Sequence, residues 1–183
     1  MSVLNFLLER QSFSSLSEPA PCADALNNIL AAAMSVPDHG GLNPYQFHIV
    51  RGEGLKKLTD VFVEIVKEQG GDDFKLNKAS KMAFRAPLII TVATNYKDHP
   101  KVPQQEQLIT AGCAIYNMQM ACVAQGFQGV WRTGHFAYNP KVKQFFKIHS
   151  NDDIVGFLYI GTPSKDVPIK KRKDAEDFVH YWE

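Results

Sequence analysis

Arg10, Gln11 and Ser12 set a guanidinium fork and a hydroxyl two residues apart in a polar loop. That pairing suits a phosphate monoester, because a planar fork meets two oxygens at once and a hydroxyl can reach a third. A second cluster, Trp131, Arg132, Thr133 and Gly134, combines a large aromatic, another guanidinium, a hydroxyl and a backbone open to close approach. A third stretch, PDHGGLNPY at 37–45, is a helix stop followed by a glycine-loosened loop that can wrap a planar ring, with His39 placed to hydrogen-bond a heterocycle. Each has a plainer alternative. Arg10 and Ser12 also fit an exposed helix end, Trp131 and Arg132 a core aromatic with an ion-paired cation, and Asp38 and His39 a solvated turn. The two arginine-bearing segments become informative if they converge on one phosphate.

Other chemistry has less support. Cys22, Cys113 and Cys122 form no C-x-x-C pair, and their odd number argues against a complete disulfide framework. On one helix, Cys113 and Cys122 would be turned about half a revolution apart, so they cannot share a metal. A hydrolase using Cys113 with a distant histidine is disfavoured because that thiol sits in an apolar helical stretch. His39, His48, His99, His135, His149 and His180 show no paired ligand spacing, so no metal site is expected.

The elements that must position these residues read as one domain over 1–183. Leu4, Leu7 and Leu8 have helical spacing, and Leu26, Ile29, Leu30, Ala33 and Met34 repeat it up to the stop at Pro37. Tyr45, Phe47 and Ile49 alternate as a strand does. Leu55, Leu58, Phe62 and Ile65 then mark a helix ending at Gly70 and Gly71. Leu88–Thr94 lacks polar alternation, which predicts a central strand covered on both faces. A helix over about 104–125 is rich in small residues (Ala111, Gly112, Cys113, Ala114) and is placed at the molecular centre or a dimer seam. Strands follow at 129–133 and 154–160, separated by a short helix with Asn139 as N-cap and Pro140 as first residue.

Composition narrows the partners. A chain of 183 residues, 45% hydrophobic, can bury a substantial core. A formal net charge of +1 with dispersed lysines and arginines offers no nucleic-acid stripe. The residues up to Arg10 lack a basic leader region. The longest apolar stretch is interrupted by Asn117 and Gln119, which suits a buried helix and not a membrane span. A reducing cytoplasm is the expected location. Beyond Pro163, the basic run Lys170, Lys171, Arg172, Lys173 precedes Phe178, Val179, Tyr181 and Trp182, an apolar end that needs cover; a neighbouring subunit supplies it most simply.

Taken together, LLERQSFSSLSEPAP, PDHGGLNPYQFHIVRGEG, FRAPLIITV, AGCAIYNMQMACVAQGF, GVWRTG and IVGFLYIGTP occur in this order over nearly the whole length. In that set the chain resembles the FMN-dependent nitroreductase family, and in particular its small members. The resemblance implies an α+β sandwich with a mixed, mainly antiparallel sheet flanked by helices, a homodimer whose C-terminal tails are exchanged, and FMN held between subunits. By matching position, Arg10 and Ser12 would bind the ribityl phosphate, with Gln11 standing where a second arginine is commoner. Ser35 and His39 would meet the ring from the partner chain. Trp131, Arg132 and Thr133 match the late flavin-binding segment, which would make Arg132 a second cation on the phosphate.

The activity implied is alternating: NAD(P)H reduces the flavin at N5 and leaves, then a nitroaromatic or quinone-like acceptor enters the same slot. No G-x-G-x-x-G fingerprint supports a separate nicotinamide domain. Because the cofactor carries the bond making, no side chain is assigned as an essential acid or base. The competing reading is a flavin-binding protein with little turnover, acting as a store, a sensor or a specialised dehalogenase-like enzyme.

Overall fold

The computed structural model describes residues 3–183. Met1 and Ser2, which open the segment examined for a leader, lie outside the described residues. Helix α1 is Val3–Glu9 and buries none of its residues, so the stripe Leu4, Leu7, Leu8 is present but uncovered. Helix α2, Ala23–Ala33, buries Ala25, Ile29 and Ala33. It ends short of Pro37 because the Met34 N–H already turns back to the Ala31 carbonyl and the Ser35 N–H to that of Ala32. Strand β2, Tyr45–Arg51, leads into α3, Glu53–Glu68, whose buried stripe contains Leu55, Leu58, Phe62 and Ile65. Gly70 then takes φ +68°, a left-handed turn that favours glycine after a helix end.

Two elements lack a strong apolar pattern in the sequence. The two-residue strand β1, Leu16–Ser17, is held by its pairing with β5 and by the buried side chain of Leu16. Helix α4, Asp73–Ser80, buries only Ala79 and is started by Asp72, whose side chain accepts from the Lys75 N–H at 2.9 Å. Strand β3, Leu88–Thr94, is buried throughout. Helix α5 spans Gln104–Ala124, β4 spans Gln128–Arg132, and α6 spans Pro140–Phe145, with Asn139 capping the Lys141 N–H at 2.9 Å. Strand β5, Ile154–Pro163, lies between β3 and β4; β2 flanks β3, and β1 pairs with the end of β5 at Thr162 and Pro163. All four pairings are antiparallel.

Strand alternation divides this sheet between two cores. Ile89, Phe157 and Tyr159 face a cluster that includes Phe62 and Phe136, while Ile90 and Leu158 face one that includes Ile29, Ala114 and Met118. Helix α3 therefore covers one face and α2 with α5 the other, so β3 is central, as its unbroken apolar run implies. None of the described helices is long and apolar enough to cross a membrane. Past β5 the chain is almost wholly irregular and exposed apart from one turn at Glu176–Phe178, and Trp182 is 96% exposed.

His48 on β2 has its ring 5.0 Å from that of Phe146, and its buried Nε2 has no partner. Burial pushes its pKa below the ordinary 6.5. As pH falls through about 6.5 the unfolded chain takes up a proton that the folded chain resists, so this residue lowers stability progressively below that pH until the folded ring also titrates. In His48→Phe, the decline in urea midpoint between about pH 7 and 5 is expected to be shallower than in wild type. Superimposable pH profiles would show that His48 makes no such contribution.

Candidate functional site

The loop after α1 is tied to the outer edge of β4. The Phe13 N–H donates to the Gly129 carbonyl at 3.2 Å, and the Gln119 amide from α5 donates to the same oxygen at 3.0 Å. This junction brings Arg10 and Ser12, Tyr116 and Gln119, and Trp131 and Thr133 around one cleft of about 450 Å³. Two of the three sequence clusters therefore meet, although more than a hundred positions separate them. A cation and hydroxyls stand beside an indole, a donor set suited to a phosphate joined to a flat ring.

Trp131 is held from both sides. On β4 it lies opposite Leu158, which turns its ring toward the α5 face of the sheet. Its Nε1–H donates to the Val155 carbonyl at 3.2 Å, and its far edge lies 3.8 Å from where a Cβ on Gly112 would stand. A Cβ on Gly156 would fall 2.2 Å from the indole Nε1 and 2.9 Å from the Arg132 carbonyl. Glycine at 156 is thus a steric condition for the orientation of Trp131. Beyond Thr133, Gly134 adopts φ +77° with open space where a side chain would stand, leaving the end of the strand accessible.

The same alternation turns Arg132 the other way. Its register partner is Phe157, on the opposite core face, and its guanidinium carbon lies 5.7 Å from the centre of the Tyr159 ring. It lines a separate cavity with Lys78, Arg85 and His135, and Thr133 is shared between that cavity and the first. The expected grip of Arg10 and Arg132 on a single phosphate therefore does not form within one chain, because neighbouring strand residues point to opposite faces.

Gln11 also has a different task. Its side chain is buried, its amide donates to the Val167 carbonyl at 2.9 Å, and its Oε1 accepts from the Lys170 N–H at 3.4 Å. The Arg172 guanidinium donates to the Arg10 carbonyl. The basic run 170–173 is thereby anchored beside the phosphate-type loop. Spacing could not have shown this, since those residues lie about 160 positions away; the one signal was the missing cation at Gln11.

Ser35 and His39 lie elsewhere. The Ser35 hydroxyl donates to the Ala32 carbonyl at 2.9 Å and accepts from Asn117 Nδ2 at 3.5 Å. His39 Nδ1 is 2.7 Å from Glu106 Oε2, in an exposed pair. Thr110 donates to the Pro37 carbonyl at 3.2 Å. On α5, positions 106, 110 and 117 form one stripe, and 112, 116 and 119 another roughly 130° around the helix. The loop carrying Ser35 and His39 is therefore on one side of α5, and the Arg10 cleft on another.

Among the described residues no group of histidines, cysteines and carboxylates is arranged to hold a metal. Cys122 is buried and its thiol is pushed up to about 12 by desolvation, which keeps it unreactive.

Comparison with known proteins places the chain in a family. The sequence profile described as "Nitroreductase family" matches residues 7–162. The Escherichia coli K12 protein named "Putative NAD(P)H nitroreductase YdjA" is 46% identical over the full length of both chains. A Haemophilus influenzae relative with the same description but no gene name is 38% identical over 99% of this chain and 100% of its own. Among solved structures, the "Nitroreductase-like Family Protein from Bacillus cereus" superposes with a TM-score of 0.85 at 25% identity, covering 100% of this chain and 97% of that one. An "FMN-dependent Nitroreductase" from Clostridium difficile shares the fold, with a TM-score of 0.72, 19% identity and 98% coverage of both chains. The chain belongs to the nitroreductase family.

The packing at Trp131 can be probed directly. Gly156→Ala is expected to destabilise the protein by about 1–3 kcal/mol as an overpacked substitution, and to change the Trp131 fluorescence because the indole must move. An unchanged emission spectrum and unfolding midpoint would show that the strand pair absorbs the extra carbon elsewhere.

Proposed function

We propose that this chain is an FMN-dependent oxidoreductase that takes reducing equivalents from NAD(P)H and passes them to a nitroaromatic or quinone-like acceptor. The observation that carries the reading is the convergence of Arg10 and Ser12 with Trp131 and Thr133 on one cleft. Its chemistry fits the cofactor: a guanidinium and a hydroxyl for a phosphate monoester, and an indole edge and open strand end for a flat ring. The names of the relatives, NAD(P)H nitroreductases at 46% and 38% identity, support the same activity.

Bound FMN would supply two-electron transfer between the nicotinamide and the acceptor. The chain's own residues bind, orient and exclude water. Arg10 and Ser12 would hold the phosphate end. The basic run 170–173, tethered through Gln11 and Arg172, restores positive charge that a second arginine would otherwise bring. Trp131, pinned by Val155 and Gly156, would fix one edge of the slot, and Thr133 its end.

Ser35 and His39 would complete the site of a second copy. Their loop lies away from the Arg10 cleft in one chain, and α5 between them exposes Leu108, Ile109 and Tyr116. Leu4 and Leu8 on α1, and Tyr181 and Trp182 in the tail, also lack cover. A homodimer with exchanged tails removes this apolar surface from water and joins the two halves of each site. The three cysteines are free, which supports a reducing compartment, the cytoplasm.

The test is an absorbance spectrum of purified protein before and after FMN addition, with its mass in solution. The expected result is a yellow dimer whose colour is bleached by NAD(P)H and restored by a nitroaromatic acceptor. A colour that NAD(P)H leaves unchanged would favour flavin storage or sensing; a colourless monomer with no FMN affinity would overturn the proposal. Arg10→Ala removes a charge-assisted hydrogen bond of about 1.5–3 kcal/mol, so its FMN affinity should be roughly ten- to a hundredfold weaker. Undiminished affinity would take Arg10 out of the phosphate site.

A further inference from the structure

The cavity on the far side of β4 holds cations that the flavin reading does not use. It encloses about 310 Å³, and Lys78, Arg85, Arg132 and His135 all line it. Its floor is aromatic, formed by Phe62, Phe157 and Tyr159. No aspartate or glutamate lines it, and among the described residues Lys78, Arg85 and Arg132 form no ion pair. Arg132 Nε is buried and has no hydrogen-bond partner.

This arrangement is costly as it stands. Burial first, and then the like charge of Arg85, push the Arg132 pKa below the ordinary value for a guanidinium. Tyr159 cannot supply the missing negative charge: burial pushes its hydroxyl up to about 12, so it stays protonated and offers only its ring face. Two guanidinium groups lining one cavity over an apolar floor, with the buried Arg132 Nε–H unmet, are relieved by an oxyanion that accepts from both forks. A planar body attached to that anion would lie on the aromatic floor.

We propose that this cavity is a second oxyanion site, separate from the Arg10 cleft, that binds the carboxylate or phosphate of a molecule whose other end reaches the cleft past Thr133. Thr133, just past the end of β4, lines both spaces and is the point at which a ligand held in one would meet the other. Arg85 and Arg132 hold the anion, Lys78 and His135 line its entrance, and the site selects a negatively charged acceptor or the phosphorylated form of the reductant. That last assignment rests on the flavin reading; the existence of the anion site does not.

The first experiment needs no flavin. Thermal unfolding is followed against inorganic phosphate in Arg10→Gln, which disables the cleft, and in Arg10→Gln combined with Arg85→Gln. The expected result is a saturable phosphate-dependent rise in Tm in the single variant that is lost in the double variant and kept when Arg85→Lys replaces Arg85→Gln. No rise in Arg10→Gln, or an equal rise in both, overturns the proposal. Should the Arg85→Gln double variant lack a cooperative transition, Lys78→Gln in the Arg10→Gln background replaces it; it is expected to weaken the rise, and an undiminished rise overturns the proposal. The second experiment compares turnover in wild type and Arg85→Gln. A KM about tenfold higher for 4-nitrobenzoate with nitrobenzene unchanged assigns the site to the acceptor; the same change for NADPH with NADH unchanged assigns it to the reductant. Equal effects on charged and uncharged partners overturn the substrate role.

Discussion

The carbonyl oxygen of Gly129 receives two hydrogen bonds, one from the Phe13 backbone and one from the Gln119 side chain. Three segments that are remote in sequence, the loop after α1, the edge strand β4 and the central helix α5, are joined at that one acceptor. Leaving these groups unpaired would be costly, since the Gln119 amide is buried and, among the described residues, no further strand covers the outer edge of β4 where the Gly129 carbonyl points. The Arg10 loop is placed by this joint, and so is the distance between a phosphate-type donor set and the indole of Trp131. A loop free of β4 would leave Arg10 and Ser12 as an ordinary exposed helix end, the plainer alternative considered from the sequence.

Much of the fold was legible because its strongest elements have one dominant pattern. The unbroken run at 88–94 could hardly be other than an interior strand, and Asn139 with Pro140 carries both halves of a helix start. Helix α4 was not legible, since one buried alanine leaves no apolar period and only the Asp72 cap announces it. The two-residue strand β1 is shorter than any pattern that periodicity can detect.

Which residues line the Arg10 cleft was more legible than the directions in which they point. Arg10, Ser12, Trp131 and Thr133 were named from residue type and resemblance, and they do share a cleft. Gln11 was named by its matching position in the family's first loop, and Arg132 for its guanidinium and its match to the late flavin-binding segment, yet adjacency in a strand or an extended loop means opposite directions. Gln11 turns inward to hold the tail, and Arg132 turns to the Tyr159 face. The period of two that reads 45–49 as a strand also separates Arg132 from its neighbours at 131–133. The contribution of 170–173 could not be recovered this way, because it depends on where an irregular tail returns.

Trp131 and Gly156 occupy what is in effect a single volume shared between two strands. Their dependence is one-way. Position 131 can lose bulk while glycine persists at 156, at the cost of a void, whereas a side chain at 156 must wait for the indole to leave and for the Arg132 carbonyl to yield as well. Divergence within this strand pair therefore has a permitted order, and a descendant carrying a larger residue at 156 would record that its ancestor had already given up the tryptophan.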